Sequence, residues 1–141
     1  MDLSEFKNKI KEKEEKLLVV IDDKISSKKI TYSVSNETTL WRAQTLLKKE
    51  PVTINWIRSF EKNSIFYDVG ANVGMYSIFA AIVSKCNVYS FEPESNNFQI
   101  LMENIIANNL TNLINPYPIG ISNITELTTL HLSDFSKGGS H

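Results

Sequence analysis

The stretch Ile65-Phe66-Tyr67-Asp68-Val69-Gly70-Ala71-Asn72-Val73-Gly74-Met75-Tyr76-Ser77 decides the fold. Its first five residues form a short apolar run, the pattern of a strand inside a parallel sheet. Gly70 to Gly74 is a tight turn, and Met75 to Ser84 reads as a helix. Working outward, Val88-Tyr89-Ser90-Phe91 is a second strand, ended by Glu92-Pro93. Ser95 to Asn108 is a second helix with Phe98, Leu101, Met102 and Ile105 facing inward, and Asn112 to Tyr117 is a third strand. Strand–helix–strand–helix–strand implies parallel strands joined by right-handed crossovers, an α/β sheet. Ile119 to Ser122 and Glu126 to Leu132 read as further strands or a hairpin. Ser136 to His141 is polar and carries no element.

Upstream the rhythm differs. Asp2 to Leu18 spaces Leu3, Phe6, Ile10 and Leu17 as one face of a helix, among Lys and Glu. Leu17 to Ile21 and Ile30 to Val34 are two short strands, paired as a hairpin. Asn36 to Thr39 offers a helix cap, and Pro51 suits the first turn of the next helix, with Ile54, Ile57 and Phe60 on a common face. Charge marks a boundary. Residues 1–30 hold eight Lys and seven acids, whereas residues 65–141 hold two Lys and six acids. The expected organisation is a lead segment, 1–64, and a partial Rossmann-like domain, 65–141.

The 141 residues suit one domain, or one domain with an arm. At 42% hydrophobic and 22% charged, the chain can pack a core. Its net charge of −1 gives no general pull toward nucleic acid or anionic lipid. A single cysteine, Cys86, excludes an intrachain disulfide and points to a reducing, cytoplasmic setting. The longest near-apolar stretch, Met75 to Val83, falls far short of the ~20 residues a membrane span needs. The expectation is therefore no nucleic-acid and no membrane partner.

The chemistry concentrates at the turn. Gly70 and Gly74 let backbone approach a ligand closely and adopt angles other residues avoid, and Asn72 tolerates a left-handed angle. The N–H groups of the following helix face the crevice at the strand's carboxyl end, where a carboxylate or phosphate could sit. Glu92 lies 22 residues after Gly70, at the end of the next strand. A carboxylate there can accept hydrogen bonds from both hydroxyls of a ribose. Together these features describe a nucleoside site. It is not the dinucleotide fingerprint G-x-G-x-x-G, because Asn72 and Met75 stand where glycines are needed. A P-loop is excluded as well, for want of G-x-x-x-x-G-K-[ST].

The pattern resembles the D-x-G-x-x-x-G form of motif I in S-adenosylmethionine-dependent methyltransferases. More narrowly, Tyr67 to Ser77, Phe91-Glu92-Pro93-Glu94, Asn97-Phe98 and Asn104-Ile105 with Asn108 resemble the FkbM family of methyltransferases. Lys49-Glu50-Pro51 to Trp56-Ile57 is similar to the lead-in of some members. The resemblance covers about residues 40–125. It implies a Rossmann-like, class I fold that moves the methyl of S-adenosylmethionine, usually onto a hydroxyl of a sugar or other small acceptor, including a glycan. In this chain, Gly70-Ala71-Asn72-Val73-Gly74 would then face the methionine part of the cofactor, with Asn72 near its carboxylate. Glu92 would hold the ribose, Asp68 would organise the turn or reach the methionine ammonium, and Pro93 would shape the loop near adenine.

The chain departs from the family at its end. Only 71 residues follow Gly70, and the family's later acidic D-x-E-G motif is absent. The expectation is an incomplete fold, a β-α-β-α-β half plus a hairpin, with no catalytic base identified. His131 reads as a solvent-facing strand residue and Cys86 as a packing residue, and no metal set is expected. The first strand should lie at an open sheet edge or be covered by the lead segment, and an open edge invites self-association. The competing reading is a non-catalytic nucleoside-binding or degenerate methyltransferase fragment.

Overall fold

A computed structural model of the protein describes residues 2–14, 17–132 and 137–139. Helix α1 (Leu3–Glu14) precedes an antiparallel hairpin of β1 (Leu17–Asp23) and β2 (Lys28–Val34), in which Leu17 pairs with Val34 and Asp23 with Lys28. Asn36 opens α2 (Glu37–Lys49) with a reciprocal cap. Its side chain accepts from Thr39 N at 2.8 Å, and Thr39 Oγ1 accepts from Asn36 N at 3.2 Å. Pro51 starts α3 (Pro51–Arg58), where a missing N–H costs nothing.

The α/β unit follows as β3 (Ile65–Val69), α4 (Met75–Phe79), β4 (Asn87–Phe91), α5 (Ser95–Ala107) and β5 (Ile114–Tyr117). The three strands are parallel in the order β3-β4-β5, as the crossover pattern requires. Three expectations need correction. Helix α1 ends at Glu14, because the β-rich run from Leu17 belongs to the hairpin. The helix after the turn is α-helical only to Phe79 and continues as a wider π turn, Ala80–Ser84, in which Ser84 Oγ donates to Ile57 O at 2.7 Å. Residues 119–122 and 126–132 form no strand. Their apolar side chains, including Ile119, Ile121 and Leu127, are exposed, and alternation without a partner ladder does not make a strand. Asp134, Ser136, Ser140 and His141 lie outside the described residues.

One core joins the lead segment to the sheet. Ile30 and Tyr32 of β2, Ala43 and Leu46 of α2, and Ile57 of α3 are buried together with Ile78, Phe79, Leu101 and Ile105. Polar contacts set the docking. Asn108 both accepts from Thr31 N at 2.9 Å and donates to Thr31 O at 2.7 Å, so an amide side chain completes the free edge of β2. Asn104 accepts from Ser33 N at 2.6 Å and donates to Val73 O at 2.7 Å, which ties the hairpin to the turn after β3. Tyr32 adds a hydroxyl donation to Met75 O at 3.0 Å. Among the described residues no strand pairs with the outer edge of β3, while Trp56 and Phe60 of the lead segment pack against Phe66. Ile65, Tyr67 and Val69 point from one exposed face, Tyr67 being 62% or so exposed, level with a stack of Tyr89, Phe91 and Tyr117. No helix among the described residues is long and apolar enough to cross a membrane.

The far end of the hairpin is pinned by a buried ion pair. Arg58 donates to both oxygens of Asp23, at 2.7 and 2.6 Å, and its guanidinium lies over the Phe79 ring at 5.0 Å. Arg58 above all, with help from Ser26, holds the Asp23 carboxyl down at about 2 despite its burial. The ordinary value is 3.8, so the stability this carboxylate contributes is present above pH 3.8 and is lost as pH falls through about 2. At 1.36 kcal/mol per unit it amounts to about 2 kcal/mol. Urea titrations between pH 5 and pH 2 should show that loss in the unaltered chain and not in Asp23→Asn, which starts less stable. An unchanged acid dependence in Asp23→Asn would remove the pair from this role.

Candidate functional site

The turn after β3 is held by its own backbone, by the end of β4 and by a few polar side chains. Gly70 N and Ala71 N both donate to Phe91 O, at 2.9 and 3.0 Å, so the last carbonyl of β4 anchors the start of the turn. Gly74 N returns to Ala71 O at 2.8 Å. Gly70, Asn72 and Gly74 all adopt positive φ, at 76°, 53° and 83°. The left-handed Asn72 is stabilised locally, because its Oδ1 accepts from Val73 N at 2.9 Å. The two glycines are required for different reasons. A Cβ on Gly74 would collide with the Leu101 side chain, whereas a Cβ on Gly70 would have nothing within 4 Å. Gly74 is therefore a packing glycine. Gly70 is exposed and faces open space at the carboxyl ends of the strands, where a ligand can approach the backbone.

Glu92 closes the other side of that space. It is 4% exposed, and its two oxygens accept from Asn72 N at 2.7 Å and Glu94 N at 2.9 Å. The carboxylate thus holds the turn after β3 and the loop after β4 in one arrangement. Each oxygen keeps a second lone pair, the acceptor capacity a ribose diol would use. Pro93 is exposed between two buried glutamates. The second of these, Glu94, caps α5 by accepting from Asn96 N at 3.0 Å and Asn97 N at 2.7 Å.

Asp68 sits beneath the turn rather than in the crevice. It is buried and accepts from Ser77 Oγ at 2.5 Å, and Ser77 in turn accepts from Ser90 Oγ at 2.6 Å. Burial pushes the Asp68 carboxyl up. The Ser77 donors oppose this, and the negative Glu92 adds to it. Asp68 organises the turn by tying the end of β3 to the first turn of α4 and to β4. Ala71 is buried, so its contribution to any ligand is backbone. The side chain of Asn72 is engaged within the protein, since Nδ2 donates to Gly139 O at 2.6 Å.

Gly70, Asn72 and Glu92 are thus brought together, while Asp68, Ala71 and Gly74 support them from behind. His131 is exposed and outside any strand, and Cys86 is buried, with Sγ 3.4 Å from Ser64 Oγ. Among the described residues no group of three or more His, Cys, Asp and Glu is placed to hold a metal. Sequence reasoning missed Tyr76. Together with Arg42, Lys49 and Glu50 it lines a cavity of about 80 Å³ between α2 and α4. Burial, then its hydrogen bond to Glu50, pushes the Tyr76 phenol up. A concavity of about 620 Å³ runs along Leu3–Lys11 of α1 and contains none of the turn residues.

Residues 68–141, just over half of the chain, match the Methyltransferase FkbM domain. The chain belongs to the FkbM methyltransferase family. It is 24% identical over 110 residues to the hexuronic acid methyltransferase AglP of Haloferax volcanii, which covers 78% of this chain and 44% of that protein. Its fold is similar to protein PH0793 of Pyrococcus horikoshii, with a TM-score of 0.54 at 19% identity, and to TYW2 of the same organism in complex with MeSAdo, with a TM-score of 0.50 at 17% identity. Each of these matches covers 73% of this chain and 36% of the other. The chain therefore spans less than half of the length of each of these three relatives.

Because Glu92 anchors two backbone N–H groups, its removal should cost more than ligand affinity. Glu92→Ala leaves both donors without their charged acceptor and should lower unfolding stability by about 2–3 kcal/mol in urea titration. A loss below about 0.5 kcal/mol would show that the carboxylate does not hold the turn.

Proposed function

We propose that this FkbM-family chain is the cofactor-binding part of an S-adenosylmethionine-dependent O-methyltransferase acting on a sugar or another small acceptor. The observation that carries the reading is the pairing of open space at Gly70 with the Glu92 carboxylate across the ends of β3 and β4. The residues fit such a cofactor. Backbone at Gly70 can lie against the methionine portion, and Glu92 can take the ribose hydroxyls. When bound, the cofactor supplies an electrophilic methyl on a positive sulfur, so the chain's task is alignment of the acceptor oxygen. AglP acts on a hexuronic acid, and its likeness to this chain favours a sugar acid as acceptor. A cytoplasmic setting belongs to the same proposal, on the strength of the lone buried Cys86. So does self-association through the unpaired β3 edge, which light scattering reads as a mass above the 16.0 kDa of one chain. A monodisperse species of that mass would contradict the association.

Calorimetric titration tests the cofactor assignment. The chain should bind S-adenosylhomocysteine and not NADH. Gly70→Val should abolish binding, because the side chain enters the ligand's space and φ near +76° disfavours it. Equal affinity for NADH, or undiminished binding by Gly70→Val, would overturn the assignment. Binding without methyl transfer to any sugar acid by the whole protein would favour the non-catalytic reading.

A further inference from the structure

Residues 137–139 lie against the glycine turn, held by four side chains. Asn36 Nδ2, at the cap of α2, donates to Lys137 O at 2.9 Å, and Arg42 Nε of α2 donates to Gly138 O at 2.5 Å. Asn97 Oδ1 of α5 accepts from Gly138 N at 2.7 Å. Asn72 Nδ2 of the turn donates to Gly139 O at 2.6 Å. Every one of these bonds goes to backbone, so together they fix the path of the segment. Gly138 and Gly139 are buried. At φ +79° a Cβ on Gly138 would sit 3.0 Å from the Thr39 methyl, so the path accepts glycine and little else.

Asn72 is where this strap meets the candidate cofactor site. Its side-chain amide holds Gly139, its Oδ1 holds Val73 N, and its backbone N–H holds Glu92. A residue with all three groups engaged cannot move one without moving the others. We propose that Lys137–Gly139 is a positioning strap for the cofactor site, and that the Asn72 side chain is its latch rather than a contact to the cofactor. The strap fixes the left-handed turn residue. That residue fixes the N–H that orients Glu92, and Glu92 presents its free lone pairs to the ribose. The inference rests on the methyltransferase reading and deepens it by assigning Asn72, Arg42 and Asn97 to positioning.

A double-mutant cycle on S-adenosylhomocysteine affinity, measured by calorimetry on the full chain, tests the proposal. Asn72→Gly removes the latch and keeps the left-handed backbone accessible, and Gly138→Val dislodges the strap from the other side. Each should weaken binding about tenfold, and the double variant should be scarcely weaker than either, because both break the same coupling. Wild-type affinity in Gly138→Val, or a double variant weakened about a hundredfold, would overturn the proposal. The second result would make Asn72 an independent contact to the ligand. Circular dichroism reports whether each variant is folded. Should Gly138→Val unfold, Arg42→Leu, which removes the donor to Gly138 O, takes its place in the cycle. Failure of the unaltered chain to bind would remove the methyltransferase reading itself, and the strap's role with it.

Discussion

The buried carboxylate of Glu92 is the contact on which the site depends. Two β-strand ends lie side by side in the sheet, and each is followed by a loop with backbone donors that need partners. Glu92 satisfies one donor in each loop, at Asn72 and at Glu94. A neutral side chain could not do this equally well, since a carboxylate offers two acceptors of similar strength and no competing donor. The same property suits it to a diol. On the proposed reading, structural and ligand roles share one group, with its lone pairs divided between them. This explains how so polar a side chain can be 4% exposed with no ion-pair partner among the described residues.

Around that contact, the chain uses amide side chains where other folds use strands or ions. Asn104 on α5 and Asn108 just beyond its end complete the edge of β2, Asn36 caps α2, and Asn72 and Asn97 hold the backbone of 138–139. An amide presents a donor and an acceptor together, so it can substitute for a missing peptide group in a ladder. The lead segment is thereby fixed to the turn through Asn104 and Val73, with the hydrophobic core behind it. The Asp23–Arg58 pair fixes the opposite end of the hairpin. Across the sheet the balance is reversed. The stacked Tyr67, Tyr89, Phe91 and Tyr117 form a part-exposed aromatic face.

The parts of the fold legible in the sequence were those whose causes are local. The apolar run of β3, the glycines of the turn, the Asn36 cap and Pro51 each act within a few residues, and each appears where its spacing places it. The open space at Gly70 and the position of Glu92 at a strand end were legible because a strand–turn–helix unit fixes their relation. What was hidden depends on distant partners. Nothing in the spacing of Asn104 reveals that it meets Ser33, 71 residues away, and any asparagine on a helix surface looks the same in sequence. Glu92 was legible as an acid at a strand end but not as the group that holds Asn72 N. The alternation around Ile119 to Leu132 misled for a related reason: strand propensity needs a neighbouring ladder.

The central claim is that one carboxylate serves both the turn and the ligand, and amide resonances read it directly. On titrating the ¹⁵N-labelled chain with S-adenosylhomocysteine, the backbone amides of Gly70, Asn72 and Glu94 should shift together and saturate at one dissociation constant, as Glu92 redistributes its lone pairs. Shifts confined to residues remote from the ends of β3 and β4, or saturation that leaves Asn72 and Glu94 unmoved, would contradict the account.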